Sequence, residues 1–259
     1  MRNCFLGSIL AAVAVLAFSP MILAQQSGTA GGKAIPRLPD GKPDLSGVWD
    51  VPESADINDA RKAFVSWEAP SLQPWALEIY KENRRGIERP DSDGRQELDP
   101  QFNCFPPGPS RLLGSHPFEF IQLPGRVLIL SEADHWVRRI YTDGREHPYG
   151  YPITWMGHSI GKWDGDTLVI DTIDTNDKTW IDSLGHPHSE ALHLVERIRR
   201  IDHDTLQIET TFHDPKAYTK SGRARQVYQL MPPGYEIMER VRCDDMLGFG
   251  KRTGQETFE

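Results

Sequence analysis

From Phe118 onward, apolar and polar residues alternate with a period of two, the pattern of strands that bury one face and wet the other. Phe118 to Gln122, Arg126 to Glu132 and His135 to Tyr141 carry it first. Ser159 to Lys162 and Leu168 to Ile170 follow, then Leu192 to Ile201, Thr205 to His213, Arg223 to Leu230 and Tyr235 to Arg242. Turn formers stand between them: Trp163-Asp164-Gly165-Asp166 supplies the positive-φ position that a tight hairpin needs. About eight or nine such segments at hairpin spacing, with no helical interlude, predict an all-β domain. A closed or nearly closed antiparallel barrel is the expected architecture, with a two-sheet β-sandwich as runner-up.

Ahead of the strands the pattern changes three times. Residues 1–24 have Arg2, an apolar run from Phe5 to Phe18 and a small residue, Ala24, which together describe a cleaved secretory signal peptide. The run is too short, and too soon followed by polar chain, for a stable membrane span. Residues 25–43 are Gly, Ser, Ala, Lys and Pro with few large apolar side chains, a flexible leader that carries no core. The remainder, 44–259, is expected to be a single barrel domain with one helical insertion near 70–86. There Leu72, Trp75, Ile79 and Tyr80 are the apolar residues, and basic residues precede Gly86. The Pro-rich connector around Cys104 to Arg111 has no place in a sheet interior.

Two motifs carry a resemblance. Pro43-Asp44-Leu45-Ser46-Gly47-Val48-Trp49, and Gly157-His158-Ser159-Ile160-Gly161-Lys162-Trp163-Asp164-Gly165-Asp166-Thr167-Leu168-Val169-Ile170-Asp171-Thr172, resemble a family of exported, mostly uncharacterised bacterial proteins. That resemblance implies export and no particular activity. The Gly47-Val48-Trp49 opening of the first strand is also similar to the lipocalin and calycin signature. This looser likeness implies a lipocalin-like barrel whose Trp49 plugs the floor beneath an apolar cavity.

Alternation assigns faces. Glu196 falls with Leu194 and Ile198 on the apolar side of its strand, whereas Gln207, Glu209 and His213 fall outside theirs. Over His135 to Tyr141 each face carries one arginine, and Arg139, beside Val137 and Tyr141, is taken as the interior one. Glu196, Asp171, Glu132 and Glu239 are expected to need cationic partners, because an unpaired carboxylate inside a barrel costs several kcal/mol. Arg138, Arg139 and Arg240 are the candidates.

The stretch from Trp155 to Glu196 concentrates the candidate chemistry. After Thr172 the alternation stops, and a polar loop through Asp174, Asn176, Asp182, His186 and His188 runs to Leu192; long irregular loops are often functional. His158, His188, Asp182 and Glu196 are the candidate acid–base residues of a catalytic site. Trp49, Glu132, Arg139, Trp155, Trp163, Asp171 and Asn176 are the candidate lining of a ligand cavity. His186-Pro187-His188 with His193 has metal-ligating residue types, but Pro187 disturbs the alternation and no third ligand has a defined position, so no metal is expected. Ser159 and Ser189 lack the nucleophile elbow of a serine hydrolase, and no phosphate loop or dinucleotide fingerprint is present. No cofactor is expected.

The 259 residues hold 29 basic and 37 acidic side chains, a formal charge of −8, which argues against nucleic acid as a partner. Removal of the leader would leave Cys104 and Cys243 in an oxidising compartment. They form either one bridge, constraining the unfolded chain by roughly 4 kcal/mol, or two buried thiols. The leading expectation is a periplasmic or secreted protein that binds a small hydrophobic or aromatic molecule. The alternative is a cofactor-free acid–base enzyme, an isomerase, lyase, cyclase or hydrolase, using the same cavity. An envelope-associated interaction module is a third.

Overall fold

A computed structural model describes residues 33–52, 66–68, 71–88, 98–114 and 116–238. The expected signal peptide lies outside these residues, as do Glu239, Arg240 and Cys243. The elements are β1 (Gly47–Asp50), β2 (Ser66–Glu68), α1 (Pro74–Glu88), a 3-10 turn (Pro100–Asn103), β3 (Phe118–Leu123), β4 (Arg126–Ser131) and β5 (Val137–Tyr141). They continue with β6 (His158–Asp164), β7 (Thr167–Ile173), β8 (His193–Arg200), β9 (Thr205–His213) and β10 (Gly222–Leu230).

The sheet runs β1-β3-β4-β5-β6-β7-β8-β9-β10 and closes where β10 pairs with β1 at Trp49 and Leu230. The result is a nine-stranded barrel and not a sandwich. The short β2 pairs with Arg223 to Arg225 of β10. Strand directions cannot alternate all the way round a ring with an odd number of strands, so one neighbouring pair has to be parallel. That pair is β5–β6, joined at Ile140 to Ser159 and Tyr141 to Ile160, while every other pairing is antiparallel. A parallel neighbour cannot be reached by a tight turn, which is why Thr142 to Gly157 forms a long crossing. Lipocalin barrels have eight strands, so this one differs in count and in direction. The strand expected over Tyr235 to Arg242 is absent from its described part, Tyr235 to Met238. β10 already completes the ring.

Inward residues form two apolar clusters. Trp49, Phe118, Ile140, Ile170, Ile198 and Tyr228 belong to the first, and Leu194, Phe212 and Ala224 to the second. Helix α1 closes over the second cluster with Ala76. Pro74 begins the helix, where its missing N–H costs nothing. Its packed face is Ala76, Tyr80 and Asn83, leaving Trp75 and Ile79 exposed. Trp75 is held instead by its polar edge, donating from Nε1 to the Lys216 carbonyl at 2.8 Å.

Candidate ligand site

Between the two apolar clusters the barrel interior is polar. The alternation that puts Ile198 and Leu194 inside β8 puts Glu196 between them, and the same rule places Thr210 between Ile208 and Phe212 and Gln226 between Tyr228 and Ala224. Arg138, one step from Ile140 on β5, enters this layer from the opposite wall. It is 1% exposed, Glu196 is 3% exposed, and their contact is bidentate: Nη1 donates to Oε1 at 3.0 Å and Nη2 to Oε2. Nη2 also donates to Thr172 Oγ1 at 2.9 Å, and both Nε and Nη2 approach Ser159 Oγ at 3.4 Å. Ser159 and Thr172 bond each other at 2.8 Å. The interior arginine is therefore Arg138; Arg139 is exposed on the outer face. Both strand faces carry an arginine, and only the phase shared with buried Ile140 separates them.

Three further polar atoms lie in or beside this layer without a hydrogen-bond partner among the described residues: Tyr228 Oη, Gln226 Nε2 and Trp136 Nε1. Burial pushes the Tyr228 hydroxyl well above its usual range, and Glu196 and Asp50 add to the effect. It stays protonated. Burial also raises the Asp50 carboxyl. None of Tyr228, Gln226 and Trp136 stood out in the sequence, where they read as ordinary strand positions.

Trp49 is fully buried in the first cluster. Its Nε1 donates to the Leu45 carbonyl at 3.0 Å, and the Arg200 guanidinium stands 5.1 Å over its ring. Arg200 in turn donates to the backbone carbonyls of Asp44 and His203.

The polar loop after Thr172 is largely buried, packed against α1 and not splayed into solvent. Asp182 accepts from the backbone N–H groups of Leu184 and His186 at 3.0 and 3.2 Å, and its other oxygen meets His186 Nδ1 at 2.7 Å. The His186 ring stacks on Tyr80, while Asn83 Nδ2 donates to the Gly185 carbonyl at 2.8 Å. His188 uses both nitrogens inside the loop, Nδ1 toward the Ser189 carbonyl at 3.1 Å and Nε2 toward Thr179 Oγ1 at 2.7 Å. Its burial holds the imidazole below its usual pKa, so the ring is neutral.

His158 belongs to a third network, around the outer face. Gly157 has φ +64°, and a Cβ there would come within 2.3 Å of the Ile173 carbonyl, so only glycine delivers His158 to its place opposite Ile173. His158 Nδ1 and His147 Nδ1 are 2.8 Å apart, His147 Nε2 is 3.1 Å from Asp171 Oδ1, and His193 Nε2 is 2.9 Å from Asp171 Oδ2. With Asp171 accepting from His147 Nε2–H, the bare Nδ1 of His147 accepts from His158 Nδ1–H. Tyr141 stacks on the His158 ring and Tyr151 meets it edge-on. Burial, with His147 and Arg145 nearby, lowers the His158 pKa. Asp171, expected among the interior carboxylates, instead faces outward and pairs with histidines, because Thr172 and Ile170 take the inward phase of β7.

The four candidate acid–base residues thus fall in four hydrogen-bonded groups: Glu196 inside the barrel, Asp182 with His186 and His188 with Thr179 in the loop, and His158 outside. Among the candidate lining residues, Trp49 faces inward and half-buried Trp163 packs against the first cluster. Trp155 stacks on Phe105 at 5.1 Å, and Asn176 Oδ1 accepts from the Lys178 N–H. Glu132 is buried and accepts from Tyr235 Oη and the Met238 N–H, both at 3.2 Å. Among the described residues no group of three His, Cys, Asp or Glu is placed to hold a metal ion. Fold and site together define a closed β-barrel with a buried ion-pair layer between apolar ends. No family model and no curated protein matches the chain.

Proposed function

We propose that the protein is an exported binding protein that holds a small hydrophobic or aromatic molecule inside the barrel, at the level of Arg138 and Glu196. The observation that carries this reading is the set of buried polar atoms left unpaired around that layer, Tyr228 Oη foremost. Buried polar groups are nearly always bonded, and an orphan marks a place where a ligand or an ordered water belongs. Nine strands also enclose a wider section than the eight that suffice for one small ligand. Trp49 is buried under Arg200, in keeping with the lipocalin-like resemblance of the Gly47-Val48-Trp49 motif. Export rests on the pattern of residues 1–24 and on the resemblance to exported proteins. A bridge between Cys104 and Cys243 belongs to the same reading, since an exported chain would keep these two cysteines in an oxidising compartment. The acid–base alternative has less support, since His158, His188, Asp182 and Glu196 share no single hydrogen-bonded chain among the described residues.

Native mass spectrometry of protein purified from a bacterial periplasm tests the reading. A retained small molecule, released on unfolding and lost in Tyr228→Trp, is the expected result. Protein that carries nothing and displaces no apolar dye overturns it.

A further inference from the structure

We infer that the molecule held in the barrel is uncharged and presents hydrogen-bond acceptor oxygens, as a ketone, ester or quinone does, to Tyr228 and Gln226. The inference rests on the proposed binding function and narrows it to a ligand class.

Charge decides the first half. Arg138 is the interior cation of the layer, and it is spent: Nη1 and Nη2 are on Glu196, and Nε and Nη2 reach Ser159 and Thr172. Both Glu196 oxygens are taken by the same guanidinium. Among the described residues a carboxylate ligand would find no free cation in this layer, and an ammonium would find Glu132 held by Tyr235 and the Met238 N–H, and Asp50, which accepts from the Val51 N–H, pushed by burial toward its neutral form. Either ion would leave water without compensation, at a cost that outweighs the burial of a small apolar body.

The unpaired atoms decide the second half. Gln226 Nε2 and Trp136 Nε1 can only donate, and the protonated Tyr228 hydroxyl donates first. The layer is short of acceptors. Gln226 and Tyr228 point inward from the same face of β10, two residues apart, so their side chains leave the strand about 7 Å from each other. A molecule with two acceptors satisfies both donors at once.

The test uses the purified full chain and four probes on one benzene ring: 1,4-diethylbenzene, 1,4-diacetylbenzene, 4-ethylbenzoate and 4-ethylbenzylammonium, each followed by calorimetric titration. The diketone is expected to bind about tenfold tighter than the hydrocarbon, the worth of one well-made bond to a buried donor, and both ions more weakly than either. Tyr228→Phe and Gln226→Leu, each first checked for an unchanged melting transition, are expected to erase the diketone's advantage over the hydrocarbon. If Tyr228→Phe does not fold, Gln226→Leu alone carries the comparison. Equal binding of hydrocarbon and diketone, or tightest binding of an ion, overturns the acceptor inference while leaving a binding barrel in place. Failure of all four probes overturns both.

Discussion

Arg138 and Glu196 meet inside the barrel from β5 and β8, strands separated by β6 and β7, with Ser159 and Thr172 of those two strands bonded to the same guanidinium. The pair therefore ties four consecutive staves of the wall together. A buried pair of this kind stabilises little relative to an apolar isostere, but removing one partner strands the other charge. Glu196→Gln and Arg138→Met are each expected to cost about 3–5 kcal/mol, and the double change Arg138→Met with Glu196→Leu well under their sum. Urea unfolding checks this; additive losses would show that the two side chains act independently.

The histidines set an acid limit. His158 and His188 are both held below the usual imidazole pKa, chiefly by burial. The unfolded chain therefore binds protons at these sites that the folded chain refuses. Stability from them is complete above the unfolded pKa of about 6.5 and is lost as pH falls below it. Melting temperature followed from pH 8 to 5 is expected to decline on the acid side. His188→Asn is expected to flatten that slope even where it lowers the plateau.

Trp49 and Arg200 support each other. Arg200→Ala removes the cation over the indole and three bonds to two backbone carbonyls, and is expected to cost about 2–3 kcal/mol. Arg200→Lys is expected to recover little, because an ammonium cannot span the carbonyls of Asp44 and His203 while lying flat on a ring. Chemical unfolding of both variants distinguishes this from a purely steric role, in which lysine would suffice.

Asp182 fastens the loop. It satisfies two backbone donors and the His186 ring at once, so Asp182→Ala leaves buried N–H groups unpaired at about 1–3 kcal/mol each. Limited proteolysis is expected to cleave this variant between Asp182 and Glu190 and to spare the parent. Asn83→Ala, which frees the Gly185 carbonyl from α1, is expected to show a weaker version of the same effect.

Several of these features were legible beforehand and others were not. Thr205–His213 matches its strand to the residue, and Glu196 sits inside as its phase demanded. The loop histidines were visible as a cluster but not as separate groups: His188 turns to Thr179, His186 to Asp182, and His193 from β8 to Asp171 on β7. Each partner comes from a position that sequence distance does not rank. Trp75 and Ile79 are apolar at helical spacing, yet the face that packs is Ala76, Tyr80 and Asn83, chosen by Gly185, whose lack of a side chain lets Asn83 approach.

The amino-acid sequence alone determined the strands, their turns and which residues share a face, because side-chain alternation and turn chemistry are properties of neighbours along the chain. Closure between Trp49 and Leu230, the single parallel pair, the choice of Arg138 over Arg139, and the unpaired hydroxyl of Tyr228 were decided only by the tertiary structure. Each depends on which distant groups share one low-dielectric interior. There the cost of an unpaired charge or donor is fixed by its partners across the barrel and not by its own stretch of chain.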